Sequence, residues 1–153
     1  MMASAEGILP LYFGLPETLL YGCFHEPHAG RSRDCAVVLC PPIGHEYVNS
    51  HRALRQLAAR LSDAGFPVLR FDYFGSGDSS GDIEEGSIPQ WLDDISQAIL
   101  EIRRRTGLTS LCLAGLRLGA SLSLLAAAER SDIASLVLWD PVVKGRSYLN
   151  GLL

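Results

Sequence analysis

Ser110-Leu111-Cys112-Leu113-Ala114-Gly115-Leu116-Arg117-Leu118-Gly119-Ala120-Ser121 reads as a short buried strand over Leu111–Ala114, a very tight turn, and a helix that starts at once. Gly115 and Gly119 bracket the turn, each two residues from Arg117. A strand and a helix joined this closely bring their backbones almost into contact, and the residue between them takes dihedrals that most side chains resist. Small residues at 115 and 119 meet the first demand. The second falls on Arg117, the side chain that such a turn lifts above the sheet.

Outward from this turn, strand and helix patterns alternate. Cys35–Cys40 is a continuous apolar run, the mark of a strand buried on both faces, and it ends in Pro41-Pro42-Ile43-Gly44-His45-Glu46. Asn49 or Ser50 can cap a helix to Ala64, with Leu54, Leu57, Ala58 and Leu61 on one face and Gly65 as its stop. Pro67–Asp72 is the next strand, opening into the loop Tyr73–Gly81. Ser87 caps a second amphipathic helix with Trp91, Ile95, Ala98, Ile99 and Ile102 on its core face, and Gly107 closes it. After the turn, a helix from Leu118 to Arg130 is apolar nearly all round and is expected to be buried. Ile133–Trp139 is the last strand, and the tail from Val142 shows no clear period. Upstream, Ile8–Phe13 and Leu19–Phe24 read as an antiparallel pair at one sheet edge. The alternation predicts the α/β class: a mostly parallel sheet with helices on both faces, in a single domain over residues 1–153.

Composition narrows the function. With 153 residues, 48% of them hydrophobic, the chain can bury one real core. A formal net charge of −4 argues against nucleic acid as a partner, since such domains are distinctly basic. Arg103-Arg104-Arg105 reads as a solvated helix end matched to the macrodipole. The four cysteines, Cys23, Cys35, Cys40 and Cys112, lie in or beside predicted strands without a C-x-x-C, so neither a disulfide framework nor a zinc site is expected. His25-Glu26-Pro27-His28 is a loop, because Pro27 forbids the helix a metal motif would need. His45-Glu46 with His51 has an i, i+6 spacing and not that of H-E-x-x-H. No metal and no cofactor are expected. Met1–Gly7 carries no basic leader and no apolar run approaches membrane-spanning length, which predicts a cytoplasmic protein without a membrane partner.

Three loops follow buried strands: Pro42-Ile43-Gly44-His45, Asp72-Tyr73-Phe74-Gly75-Ser76-Gly77-Asp78-Ser79, and Gly115-Leu116-Arg117-Leu118-Gly119. In this order they resemble the α/β-hydrolase superfamily in its serine-aminopeptidase-like branch, over Ile8 to Pro141. Pro-Pro-Ile-Gly-His-Glu-Tyr together with Arg-Phe-Asp-Tyr-Phe-Gly-Ser-Gly-Asp-Ser is similar to small bacterial hydrolases associated with exosortase systems. The third loop then matches the G-x-S-x-G nucleophile elbow. The resemblance implies that Leu111–Ala114 is a central parallel strand flanked by Cys35–Cys40 and Leu136–Trp139. It also implies an oxyanion hole from the N–H of Leu118 and that of Ile43 or Gly44. The loop with Gly75, Gly77 and Gly81 is then structural, tied down by Asp72. Its G-x-G-x-x-x-G spacing does not fit a dinucleotide fingerprint.

The resemblance also marks departures. Arg117 stands at the nucleophile position and cannot be a nucleophile. The family order is nucleophile, acid, His, yet His25, His28, His45 and His51 all precede residue 117. Asp140 sits at a strand end where some members carry the acid, although Asp-Pro is equally a turn. Ser121 and Ser123 read as helix packing residues. The family sheet normally continues for two more strands, so the chain is expected to be the N-terminal part of that fold, incomplete at its C-terminus. Leu136–Trp139 would then be an apolar edge, prone to self-association unless a partner or the tail covers it. Two functions follow. One is an ester, thioester or amide hydrolase lineage without a working triad in this chain, its partner a small acyl or anionic molecule. The other is a non-catalytic anion-binding or scaffold protein. Arg117 either binds a carboxylate or phosphate or pairs internally with Asp72, Asp78 or Asp140.

Overall fold

The computed structural model describes residues 7–152, with side chains through residue 151. The leader reading of Met1–Gly7 therefore lies, up to Glu6, outside the described residues. Six strands form one sheet: β1 (Ile8–Phe13), β2 (Leu20–His25), β3 (Ala36–Cys40), β4 (Val68–Phe71), β5 (Leu111–Leu116) and β6 (Ile133–Trp139). Their order is β1-β2-β4-β3-β5-β6. The β1 and β2 hairpin is antiparallel and joins β4 antiparallel, while β4, β3, β5 and β6 run parallel. The strand of the elbow thus lies between the Ala36–Cys40 and Ile133–Trp139 strands, as the resemblance implied.

Four helices cover the sheet: α1 (Gly44–Asp63), α2 (Ile88–Thr106), α3 (Leu118–Ala128) and α4 (Gly145–Leu152). Strand β3 shows how the two faces are divided. All five of its residues are buried; Ala36, Val38 and Cys40 join the core beneath α2 and α3, whereas Val37 and Leu39 join a smaller core with Ala58 of α1. Successive side chains point to opposite faces, so a run buried throughout requires cover on both.

Helix α2 follows its pattern. Ser87 accepts a hydrogen bond from the Gln90 N–H, Gly107 ends the helix at φ 70°, and Trp91, Ile95, Ala98, Ile99 and Ile102 are buried. The arginine run is more engaged than its charge alone suggested: Arg103 pairs with Asp132, and Arg104 and Arg105 both pair with Glu101.

Four expectations are corrected. Helix α1 begins at Gly44, capped by Ile43 with no side-chain hydrogen bond. Ser50 lies inside the helix and donates to the Glu46 carbonyl oxygen at 2.6 Å. A backbone-capped start offers no polar signal, and the Asn49-Ser50 pair supplied a false one. Of the residues expected on the α1 core face only Ala58 is buried, and Leu57 is 36% exposed. Helix α3 is not buried all round, because Leu124 and Leu125 are each 49% exposed. The last is the tail, which holds α4; eight residues are too few for a period to show.

Candidate functional site

Strands β3 and β5 are neighbours, yet the chain leaves β3 for α1 on one face and β5 for α3 on the other. Loops that diverge in this way open a crevice at the carboxyl ends of the two strands. Ile43 and Gly44 open α1 after β3, and Arg117 and Leu118 open α3 after β5.

The closeness of the elbow is visible at its glycines. A Cβ built on Gly115 would stand 2.4 Å from the Gly119 carbonyl oxygen, and one on Gly119 would stand 2.1 Å from that of Cys40. No side chain fits at either place. The same packing sets α3 directly against the end of β3, which brings the Pro41–Gly44 loop to the elbow. Arg117 itself has φ 56° and ψ −120°, the strained geometry expected of a raised elbow residue. Its N–H donates to the Trp139 carbonyl oxygen at 3.0 Å, which ties the turn to β6.

The guanidinium is already occupied by protein acids. Its Nε donates to Glu46 Oε2 at 2.8 Å. Its Nη1 donates to the Asp140 carbonyl oxygen at 3.1 Å and lies 3.2 Å from Asp140 Oδ2. The Tyr148 ring of α4 lies beneath the guanidinium, 5.8 Å from its carbon. The Tyr148 hydroxyl pKa is pushed up to about 12, first by burial and then by the Glu46 carboxylate. One cation therefore gathers the start of α1, the end of β6 and α4 over the crevice.

Of the acids considered as internal partners, Asp140 pairs with Arg117 while Asp72 and Asp78 do not. Asp72 accepts from Tyr47 Oη at 2.7 Å and from the Asp78 N–H at 3.0 Å, so it holds its own loop, as expected. Gly77 is needed beside it, since a Cβ there would stand 2.2 Å from Asp72 Oδ2. Glu46, the closest ion-pair partner, escaped sequence reasoning because it lies 71 residues from Arg117. Its position in the first turn of α1, where a helix dipole favours an acid, was the available signal, hidden by the misplaced helix start.

The remaining candidates are engaged elsewhere. Ser121 donates to the Val142 carbonyl oxygen at 2.7 Å, and the fully buried Ser123 donates to that of Gly119. Among the described residues, none of the four histidines bonds to Arg117, Glu46 or Asp140, and no three metal-ligating side chains converge. The N–H of Leu118 opens α3 and has no carbonyl in a preceding turn to meet. Gly44 begins α1 at φ 65°.

The fold is matched in known proteins. The model of the family described as serine aminopeptidase, S33, matches residues 33–153. The chain belongs to that family. This serine aminopeptidase family member shares its fold with solved α/β hydrolases. A lidless serine hydrolase from Xanthomonas campestris superposes with a TM-score of 0.70 at 24% identity, over 88% of this chain and 63% of the other. An esterase from Pyrococcus furiosus gives 0.74 at 17%, over 95% and 53%. Est1E from Butyrivibrio proteoclasticus, solved with ferulic acid, gives 0.71 at 23%, over 86% and 52%. The chain thus spans between half and two thirds of the length of these structures. A comparison with curated proteins finds no significant match. Among the described residues, no helix is long and apolar enough to cross a membrane.

Proposed function

We propose that this chain is of ester, thioester or amide hydrolase lineage and that, as these 153 residues stand, it does not turn over substrate. The observation that carries this reading is the occupancy of the elbow. The raised residue is Arg117, and its guanidinium is held by Glu46 and Asp140. An arginine supplies no nucleophilic lone pair at neutral pH. Asp140, the expected acid, faces that cation instead of a histidine. The N–H groups of Leu118 and of Ile43 or Gly44 still offer oxyanion-type donors to an acyl or anionic ligand. What is lost is the attack, and not the cradle.

The test is covalent labelling by a fluorophosphonate probe, followed by intact mass. The expected result is no adduct. Stoichiometric modification of Ser121, Ser123 or Ser79 would refute the reading. A scaffold role draws support from a separate observation, the uncovered outer side of β6, where Val137 and Trp139 are 55% and 69% exposed. That surface suits self-association.

A further inference from the structure

Away from the elbow, a second concavity lies between α1 and strands β2 and β4. It encloses about 150 Å3, several times the space of one water. Arg117, Glu46 and Asp140 take no part in its walls. Helix α1 runs back from the carboxyl end of β3 towards the start of β4. Tyr47, His51, Leu54 and Arg55, spaced i, i+4, i+7 and i+8, share the face that lines the groove. On the floor, Arg70 of β4 and Asp72, just past its end, both line the groove.

The charges are therefore sorted along the groove. At one end Asp72 is satisfied by Tyr47 and the Asp78 N–H. At the other end Arg70 donates through Nε to His25 Nε2 at 2.9 Å. To accept that bond His25 must be neutral. Burial, then Arg70 and Arg55, push its pKa down to about 4, so it offers no countercharge. Among the described residues no acid pairs with Arg70. A half-buried guanidinium with its second edge free of any carboxylate is an unfilled fork. Beside it, Leu39 and Leu54 provide an apolar wall.

We propose that this groove is a binding site for a short aliphatic carboxylate, its oxygens on Arg70 and its chain against Leu39 and Leu54. A carboxylate matches the planar fork, whereas Asp72 and Asp78 at the far end oppose the second charge of a phosphate. The site is independent of the elbow reading.

The experiment is an NMR titration of the full chain with sodium butyrate at constant ionic strength, repeated with inorganic phosphate. Saturable shifts are expected at the amides of Cys23, His51, Leu54 and Arg70, with phosphate binding more weakly. Arg70→Gln should weaken butyrate about tenfold, the loss of one charge-assisted hydrogen bond. Arg117→Ser should leave affinity unchanged. Four results would each overturn the proposal: no saturation, shifts centred on Leu118, phosphate binding more tightly than butyrate, or undiminished affinity in folded Arg70→Gln. Should that variant fail to fold, the wild-type shift map and the phosphate comparison decide alone.

Discussion

Arg117 carries a backbone penalty of order 1–3 kcal/mol for a non-glycine residue in a sparsely populated region, and its two ion pairs offset only part of it. Both Arg117 and Glu46 keep about 30% of their side-chain surface in water (28% and 31%), and pairs so exposed contribute at most about 1 kcal/mol. The neighbouring ladder bond to Trp139 and the close glycine packing must hold the rest. Two other buried residues govern the response to pH. Burial raises the Asp94 pKa from 3.8 to about 6, against the opposing hydrogen bonds from the Phe74 N–H and Gln90. Folded protein then holds that proton more tightly than unfolded chain does, so between pH 4 and 6 this group alone makes stability fall as pH rises. His25 acts in the reverse sense. Its pKa drops from 6.5 to about 4, the unfolded state binds the extra proton, and stability rises over pH 4 to 6.5. The two nearly cancel in the wild type. Asp94→Asn should expose the His25 contribution as a gain on the order of 2 kcal/mol from pH 4 to 6.5 in urea melts. A flat profile in that variant would show that His25 makes no such contribution, and a wild type that already rises as steeply as the variant would show that Asp94 ionises normally.

At the scale of elements, the elbow depends on two backbones touching. Gly119→Ala would place a methyl 2.5 Å from the Pro41 carbonyl oxygen as well as against Cys40, and neither backbone can yield without moving β3. A loss of about 3 kcal/mol or more is expected in denaturant melts. Gly145→Ala at the start of α4, with nothing within 4 Å of the added carbon, should change stability by less than about 0.5 kcal/mol. Equal effects at the two sites would mean that the elbow backbones are not in close contact. This geometry was legible in the sequence because glycine spacing around a strand end records a steric demand directly. The start of α1 was not legible, since Ile43 caps it through backbone alone. Glu46 as partner of Arg117 could not be read either, because an ion pair across 71 residues leaves no local pattern.

For the whole molecule, the two neighbours of the elbow strand are those the family resemblance implied, but the exposure of the last strand was not legible. An apolar run in the sequence announces that a strand seeks cover and says nothing of whether cover is present. Among the described residues β6 is an edge strand, and its seven residues hold no charge or proline, the features that keep sheet edges from pairing. Leu124 extends the apolar surface on one face of β6, Leu57 on the other. Sedimentation of the 153-residue chain is expected to show concentration-dependent self-association, abolished by Val137→Lys. A monomer at every concentration would remove that proposal while leaving the elbow untouched.

The elbow is the centre of the account, and hydrolysis of p-nitrophenyl butyrate by the wild type and Arg117→Ser, side by side, tests it most directly. With no histidine bonded to the elbow to take a proton, restoring a serine should not restore attack. Both proteins are expected to run at the buffer rate. A wild-type rate well above buffer, abolished by Arg117→Ser, would contradict the account by showing that Arg117 takes part in turnover.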